Sequence, residues 1–96
     1  MSLLTVVAKV VAKKDAIEIV KTELLKLINP TRNEAGCSEY RLHQDNEDPA
    51  LFIFYESWES TACLEQHVKS PHYKAYIAAV DGMIAEKVVC KMTAIE

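Results

Sequence analysis

Residues Leu51–Tyr76, LFIFYESWESTACLEQHVKSPHYKAY, decide how this chain is read. Ala50 to Trp58 is an aromatic and β-branched run with the composition of a strand. Ser60 can cap a short helix over Thr61 to Lys69, and Ser70-Pro71 supplies a second N-cap with proline in the first helical position, opening another helix from His72 to about Val80. A strand feeding two short helices carries Glu56, Trp58, His67 and His72 toward one apolar wall. Small-molecule sites tend to form in such settings.

Working outward, Leu3 to Val11 is rich in Val and Leu and predicts a first strand. From Lys14 to Ile28 the period changes: Ile17, Val20, Leu24, Leu27 and Ile28 recur at three- and four-residue steps, which predicts an amphipathic helix. Asp15 with Glu18 offers a start resembling a capping box. Asn29-Pro30 should stop or kink that helix, and Glu34-Ala35-Gly36 should turn the chain into Cys37–Gln44, where Tyr40 and Leu42 alternate with Arg41 and His43. The polar run Asp45 to Pro49 joins this strand to the aromatic one as a hairpin. Asp81-Gly82 closes the last helix, and Glu86 to Ile95 predicts a fourth strand. The order β-α-β-β-α(α)-β defines an α+β, ferredoxin-like fold with a four-stranded antiparallel sheet and its helices on one face. A single domain spanning residues 1–96 is expected.

Strand composition adds a consequence. Leu4, Val6, Ala8 and Val10 oppose Val7 and Val11; Phe52, Phe54 and Trp58 oppose Leu51, Ile53 and Tyr55; Val88, Cys90 and Met92 oppose Val89 and Ile95. Helices cover one face only, and each large side chain left bare forgoes about 1.5–3 kcal/mol. A second copy of the chain is the expected cover, making a homodimer.

A net charge of −3 with interspersed signs provides no basic stripe for nucleic acid. The opening apolar run is interrupted by Lys9 and its positive charges follow it, which is the pattern of a strand and not of a signal peptide. No stretch approaches the roughly 20 apolar residues of a membrane span. Three widely spaced cysteines, Cys37, Cys63 and Cys90, suit free thiols in a reducing cytoplasm, and no metal-ligand spacing is present.

The residues able to carry chemistry are few. His67 and His72 flank the Ser70-Pro71 break; either titrates near neutrality and can serve as a general base, with Glu56 holding the other ring nitrogen. Which of the two acts is left open. Trp58, Tyr73, Phe54 and Tyr40 supply core mass first, and together can wall a flat pocket for an aromatic or quinone-like ligand. Arg41 can anchor an anion or pair with Glu56 across the hairpin. Cys63 lies at i, i+4 from His67, a spacing that packing alone explains.

The combination Phe54-Tyr55-Glu56-x-Trp58 with His67 and Ser70-Pro71-His72-Tyr73 resembles the antibiotic-biosynthesis monooxygenase (ABM) family over essentially the whole chain. The resemblance implies a dimeric α+β barrel with a pocket between sheet and helices. Its quinol-oxidising members need neither metal nor flavin, so no cofactor is expected. It implies His67 or His72 as base, Glu56 as orienter, Trp58 and Tyr73 as wall and donor, and a quinol or polyphenol as substrate. The haem-degrading branch is disfavoured, since Ala8, His67 and Ile77 stand where it carries Asn, Trp and a ligating His. The segment His67 to Lys74 is also similar to the isomerase that processes phosphorylated autoinducer-2, with Lys69, Lys74 or Arg41 as phosphate anchors. A non-catalytic ligand-binding dimer is the third alternative.

Overall fold

The computed structural model describes residues 3–96. Its elements run β1 (Leu4–Ala12), α1 (Ile17–Lys26), α2 (Ile28–Arg32), β2 (Cys37–Gln44), β3 (Leu51–Trp58), α3 (Thr61–Val68), α4 (Pro71–Ala79) and β4 (Ile84–Met92). The four strands form one antiparallel sheet in the order β2-β3-β1-β4. The expected α+β, ferredoxin-like architecture is therefore present.

Local chemistry explains most boundaries. Ser60 Oγ accepts from the Cys63 amide and Ser70 Oγ from the Tyr73 amide, so both predicted caps form, with Pro71 in the first turn of α4. In the hairpin loop Asp45 Oδ2 accepts from the Glu47 and Asp48 amides at 3.1 and 2.7 Å, an Asx-type turn.

Three expectations need correction. Helix α1 begins at Ile17 and not at Lys14, and its N-cap is Ala16 with no side-chain cap. The Lys13 amide donates to Met83 O at 2.9 Å, which holds the backbone alongside the approach to β4 and keeps Asp15 out of the cap position. Proline does not end the helical path at Asn29. The break falls at Leu27, and Pro30 sits inside α2, in a first turn where no intrahelical donor is required. Strand β4 runs from Ile84 to Met92 because its partner β1 offers pairs only from Ala12↔Ile84 to Thr5↔Met92, leaving Ile95 fully exposed.

The register fixes the two faces. Val6, Val10, Phe52, Phe54, Trp58 and Tyr40 face the helices and pack against Val20, Leu24, Leu27, Leu64, Tyr76 and Val80. Burying each large apolar member contributes about 1.5–3 kcal/mol. The opposite face carries Val7, Val11, Leu51, Ile53, Tyr55, Val88, Cys90 and Met92, as the alternation predicts. No element of the described chain covers it.

Two features of the helix-side core are costly to alter. Gly36 adopts φ +83°, in the region that favours glycine, where the turn presses against α3. A Cβ there would lie 2.3 Å from Cys63 Sγ. Glu56 is 4% exposed, and its Oε1 accepts from the fully buried Trp58 Nε1 at 2.9 Å. Burial raises the Glu56 carboxyl from 4.5 to about 7, against the opposing pull of the Trp58 bond.

Gly36→Ala is expected to lower the unfolding free energy by about 2–3 kcal/mol, from φ strain and the sulfur clash together. Adding Cys63→Ala should recover part of that loss in a denaturant double-mutant cycle, whereas strict additivity would refute the clash. Because folded Glu56 holds its proton to higher pH than the unfolded chain, stability should be greatest below about pH 4.5 on this account and fall as pH rises through about 7. The cost above pH 7 is about 3 kcal/mol. Glu56→Gln, which retains an acceptor for Trp58, should flatten that slope in melts between pH 5 and 8.

Candidate active site

An imidazole buried under helices must find a partner. His67, in the last turn of α3, is 3% exposed, and its Nδ1 lies 2.6 Å from Glu34 Oε2. His72, in the first turn of α4, brings Nε2 to within 2.8 Å of the same oxygen. A carboxylate oxygen accepts, so the proton at each contact sits on the ring nitrogen. In neutral His67 this places the proton on Nδ1 and leaves Nε2 as the basic nitrogen. Nε2 makes no hydrogen bond among the described residues.

The local fold explains the convergence. Ser70-Pro71 separates α3 from α4, so the two imidazoles approach from different helices with ring centroids 6.1 Å apart. Glu34 arrives on the turn before β2, which Gly36 closes against α3. Burial pushes His67 below the ordinary histidine value, and Glu34 draws it partly back.

His67 also lines a partly open cavity between sheet and helices, with a volume of about 60 Å³. Its walls are apolar and aromatic: Ala8 and Phe54 from the sheet, Tyr40 from β2, Leu64 from α3, and Tyr73 and Tyr76 from α4. Tyr40 stacks on Phe54 at 4.4 Å, and Tyr73 meets His67 edge-on at 5.0 Å. Glu56 reaches the cavity from β3. Desolvation pushes the Tyr40 hydroxyl well above its ordinary value and the Tyr76 hydroxyl to about 12, so both are protonated donors at neutral pH. Lys87 of β4 donates to the Tyr73 hydroxyl at 2.9 Å and, with Val68 and Val89, forms the exposed rim.

Five of the eight site residues expected from sequence line this cavity: His67, Glu56, Tyr73, Phe54 and Tyr40. Trp58 lies just behind it, 5.0 Å from the His67 ring. His72 stands on the far side of His67, bound to Glu34. Arg41 is not brought to the site: it pairs with Glu39 at 2.7 Å on the opposite face of the sheet, in register with Tyr55, and so does not bridge to Glu56. His43 shares that outer face. The carboxylate bonded to His67 is Glu34 and not Glu56, whose Oε1 accepts from Trp58.

Glu34 was missed because it lies 33 residues from His67 and belongs to no periodic pattern. With it appears a possible metal-ligand set that chain spacing did not reveal. One ligand atom from each of Glu34, His67 and His72 falls within 4.8 Å of the others. No helix among the described residues is long and apolar enough to cross a membrane.

Comparison with known proteins places the chain in a family and agrees with its fold. Residues 3–79 match the family model described as antibiotic biosynthesis monooxygenase. Rv0793 of Mycobacterium tuberculosis, provisionally named a monooxygenase, is 33% identical over 89 residues, covering 93% of this chain and 87% of that protein. YgiN of Escherichia coli, provisionally named a quinol monooxygenase, is 31% identical over 94 residues, covering 88% of this chain and 90% of that one. The match to sll1783 of Synechocystis is 28% identical and spans 68% of this chain but only 44% of the longer protein. Among solved structures, PA3566 of Pseudomonas aeruginosa superposes with a TM-score of 0.96 at 30% identity, covering 100% of this chain and 97% of that one. With the family model matched across most of its length, and relatives above 30% identity covering nearly all of it, this chain belongs to the antibiotic biosynthesis monooxygenase family.

Proposed function

We propose that the protein is a cofactor-independent monooxygenase that oxidises a quinol or other polyphenolic small molecule with O₂, using His67 as the base. The observation that carries this reading is the pairing of a tautomer-fixed, buried imidazole with an apolar, aromatic-walled cavity. Triplet oxygen reacts slowly with closed-shell organics, so the substrate must first be made electron-rich. His67 Nε2 takes a phenolic proton, and the phenolate transfers an electron to O₂. Recombination at the ring carbon beside the oxygen forms the C–O bond. The resulting peroxide takes up a proton, then loses water with the proton of that carbon, leaving a hydroxylated quinone. The substrate supplies all four electrons, so hydroquinone plus O₂ balances hydroxyquinone plus water with no added reductant.

The other groups have roles that suit this sequence. The Tyr40 and Tyr73 hydroxyls are donors for developing oxyanion charge, and the apolar walls keep competing water out. At 60 Å³ the space is well below the ~150 Å³ that accommodates a benzene ring. A quinol therefore needs side chains to give way, and the Lys87–Tyr73 contact at the open rim is the one this reading assigns to that movement. The isomerase alternative is less well supported, since Lys69 and Lys74, its phosphate anchors, do not line the cavity and Arg41 lies across the sheet. The same reading includes a homodimer, with a second copy covering the apolar outer face around Tyr55 and Val88.

Oxygen uptake with menadiol tests the chemistry. His67→Gln should lower kcat by about 10²–10⁴-fold. Glu34→Gln should lower kcat more than it raises KM, because it releases the tautomer and leaves the cavity wall intact. With ¹⁸O₂, one labelled atom should appear in the product and one in water. Parent-level uptake by His67→Gln would eliminate the proposal. Tyr55→Glu, which places a charge at the centre of the outer face, should weaken dimerisation at least about 100-fold in sedimentation. A parent chain that sediments as a monomer at micromolar concentration would refute the dimer.

A further inference from the structure

We propose that Glu34, His67 and His72 form a binding site for one divalent first-row transition metal ion, of the Zn²⁺ or Co²⁺ class. Two imidazole nitrogens on different helices converge on a single carboxylate oxygen, at 2.6 and 2.8 Å. Two N–H donors directed at one point are the protonated counterpart of two nitrogen lone pairs directed at a cation. Imidazole and carboxylate together suit Zn²⁺, Co²⁺ or Ni²⁺ better than the hard cations Mg²⁺ and Ca²⁺. Metal–ligand bonds near 2.0–2.2 Å place tetrahedral ligand atoms about 3.3–3.6 Å apart, so each imidazole nitrogen must draw back from Glu34 by about 0.5–1 Å, with all three ligand atoms starting within 4.8 Å of one another.

The surroundings allow that movement and leave a route in. His67 is held in the core, but the side chains of Glu34 and His72 are 14% and 23% exposed. Glu34 borders an open depression on the outer surface, flanked by Gln66, Lys69 and Pro71, on a different side from the cavity that His67 lines. The depression therefore gives an ion a way to Glu34 that does not pass through the cavity. Lys69 at the edge of the depression opposes a cation electrostatically.

Occupancy has a chemical consequence. The ion would take the lone pair of His67 Nδ1, and the ring's single proton would move to Nε2. An imidazole protonated at Nε2 has no lone pair to offer the cavity, so the metal would act as an inhibitor. This consequence rests on His67 being the base; binding does not.

The probe is Co²⁺, titrated into the full chain at neutral pH and followed by its visible d–d absorption. The expected result is saturation at one ion per chain, displacement by Zn²⁺, and no thiolate charge-transfer band, which excludes nearby Cys63 as a ligand. His72→Ala, at a partly exposed position, should weaken binding at least about tenfold with the fold intact by circular dichroism, and Glu34→Gln should do the same. No saturation below about 1 mM, or unchanged affinity in both variants, would overturn the site. A thiolate band that disappears in Cys63→Ser would overturn it too. Because absorption reads binding without turnover, these results stand apart from the monooxygenase assay.

Discussion

The arrangement depends on giving a buried imidazole a partner. His67 sits beneath the helices among Tyr40, Trp58 and Tyr73, where an unpartnered ring nitrogen would carry a desolvation cost of about 1–3 kcal/mol. Glu34 meets that need from the turn ahead of β2. Gly36 allows the turn to close against α3, and its carbonyl accepts from the Glu59 amide at 2.8 Å, which ties the turn to the end of β3. By bonding His72 as well, the same carboxylate joins the two helices across the Ser70-Pro71 break. One acceptor thus sets the tautomer of His67, the spacing of α3 and α4, and the entry of β2 into the sheet.

Much of this was legible along the chain because the signals were local. Ser60 and Ser70-Pro71 are caps whose partners lie three residues away, and alternation in β1 and β3 assigned faces correctly. Strand parity sets Arg41 on the face opposite Tyr40, a signal that the reading of Arg41 as an anion anchor or partner of Glu56 overlooked. Glu34 was not legible, since a lone acidic residue in a turn has no period and its partner is brought near only by the finished fold. Glu56 was credited with that role because it stands beside the histidine-bearing segment in sequence. On a strand, however, residues two apart share a face, and Trp58 two positions on has a buried N–H that needs an acceptor. Asp15 failed as a cap for a comparable reason: a backbone bond from Lys13 to Met83, 70 residues away, decided where the helix could begin.

The two carboxylates near His67 differ in environment, and that separates their chemistry. Glu56 receives one donor in a desolvated setting and is raised to about 7, so near neutrality it is divided between acid and carboxylate. Glu34 receives two imidazole donors at the protein's edge. Glu56 faces the cavity and has a proton to give there; Glu34 faces away and holds a ring in place.

The His67 ring consequently forms a partition. One nitrogen belongs to a polar cluster that opens to the outer surface, while the ring's remaining edge belongs to a cavity of aromatic side chains. A proton accepted on the cavity side makes the ring an imidazolium, and the Glu34 carboxylate already on Nδ1 stabilises that charge without moving. In the proposed chemistry the apolar walls limit the water around reduced oxygen species, which would otherwise escape or take up protons prematurely. For the proposed oxidation, placing the counter-charge on the far side of the His67 ring is what would suit an apolar pocket to chemistry that begins by creating an anion.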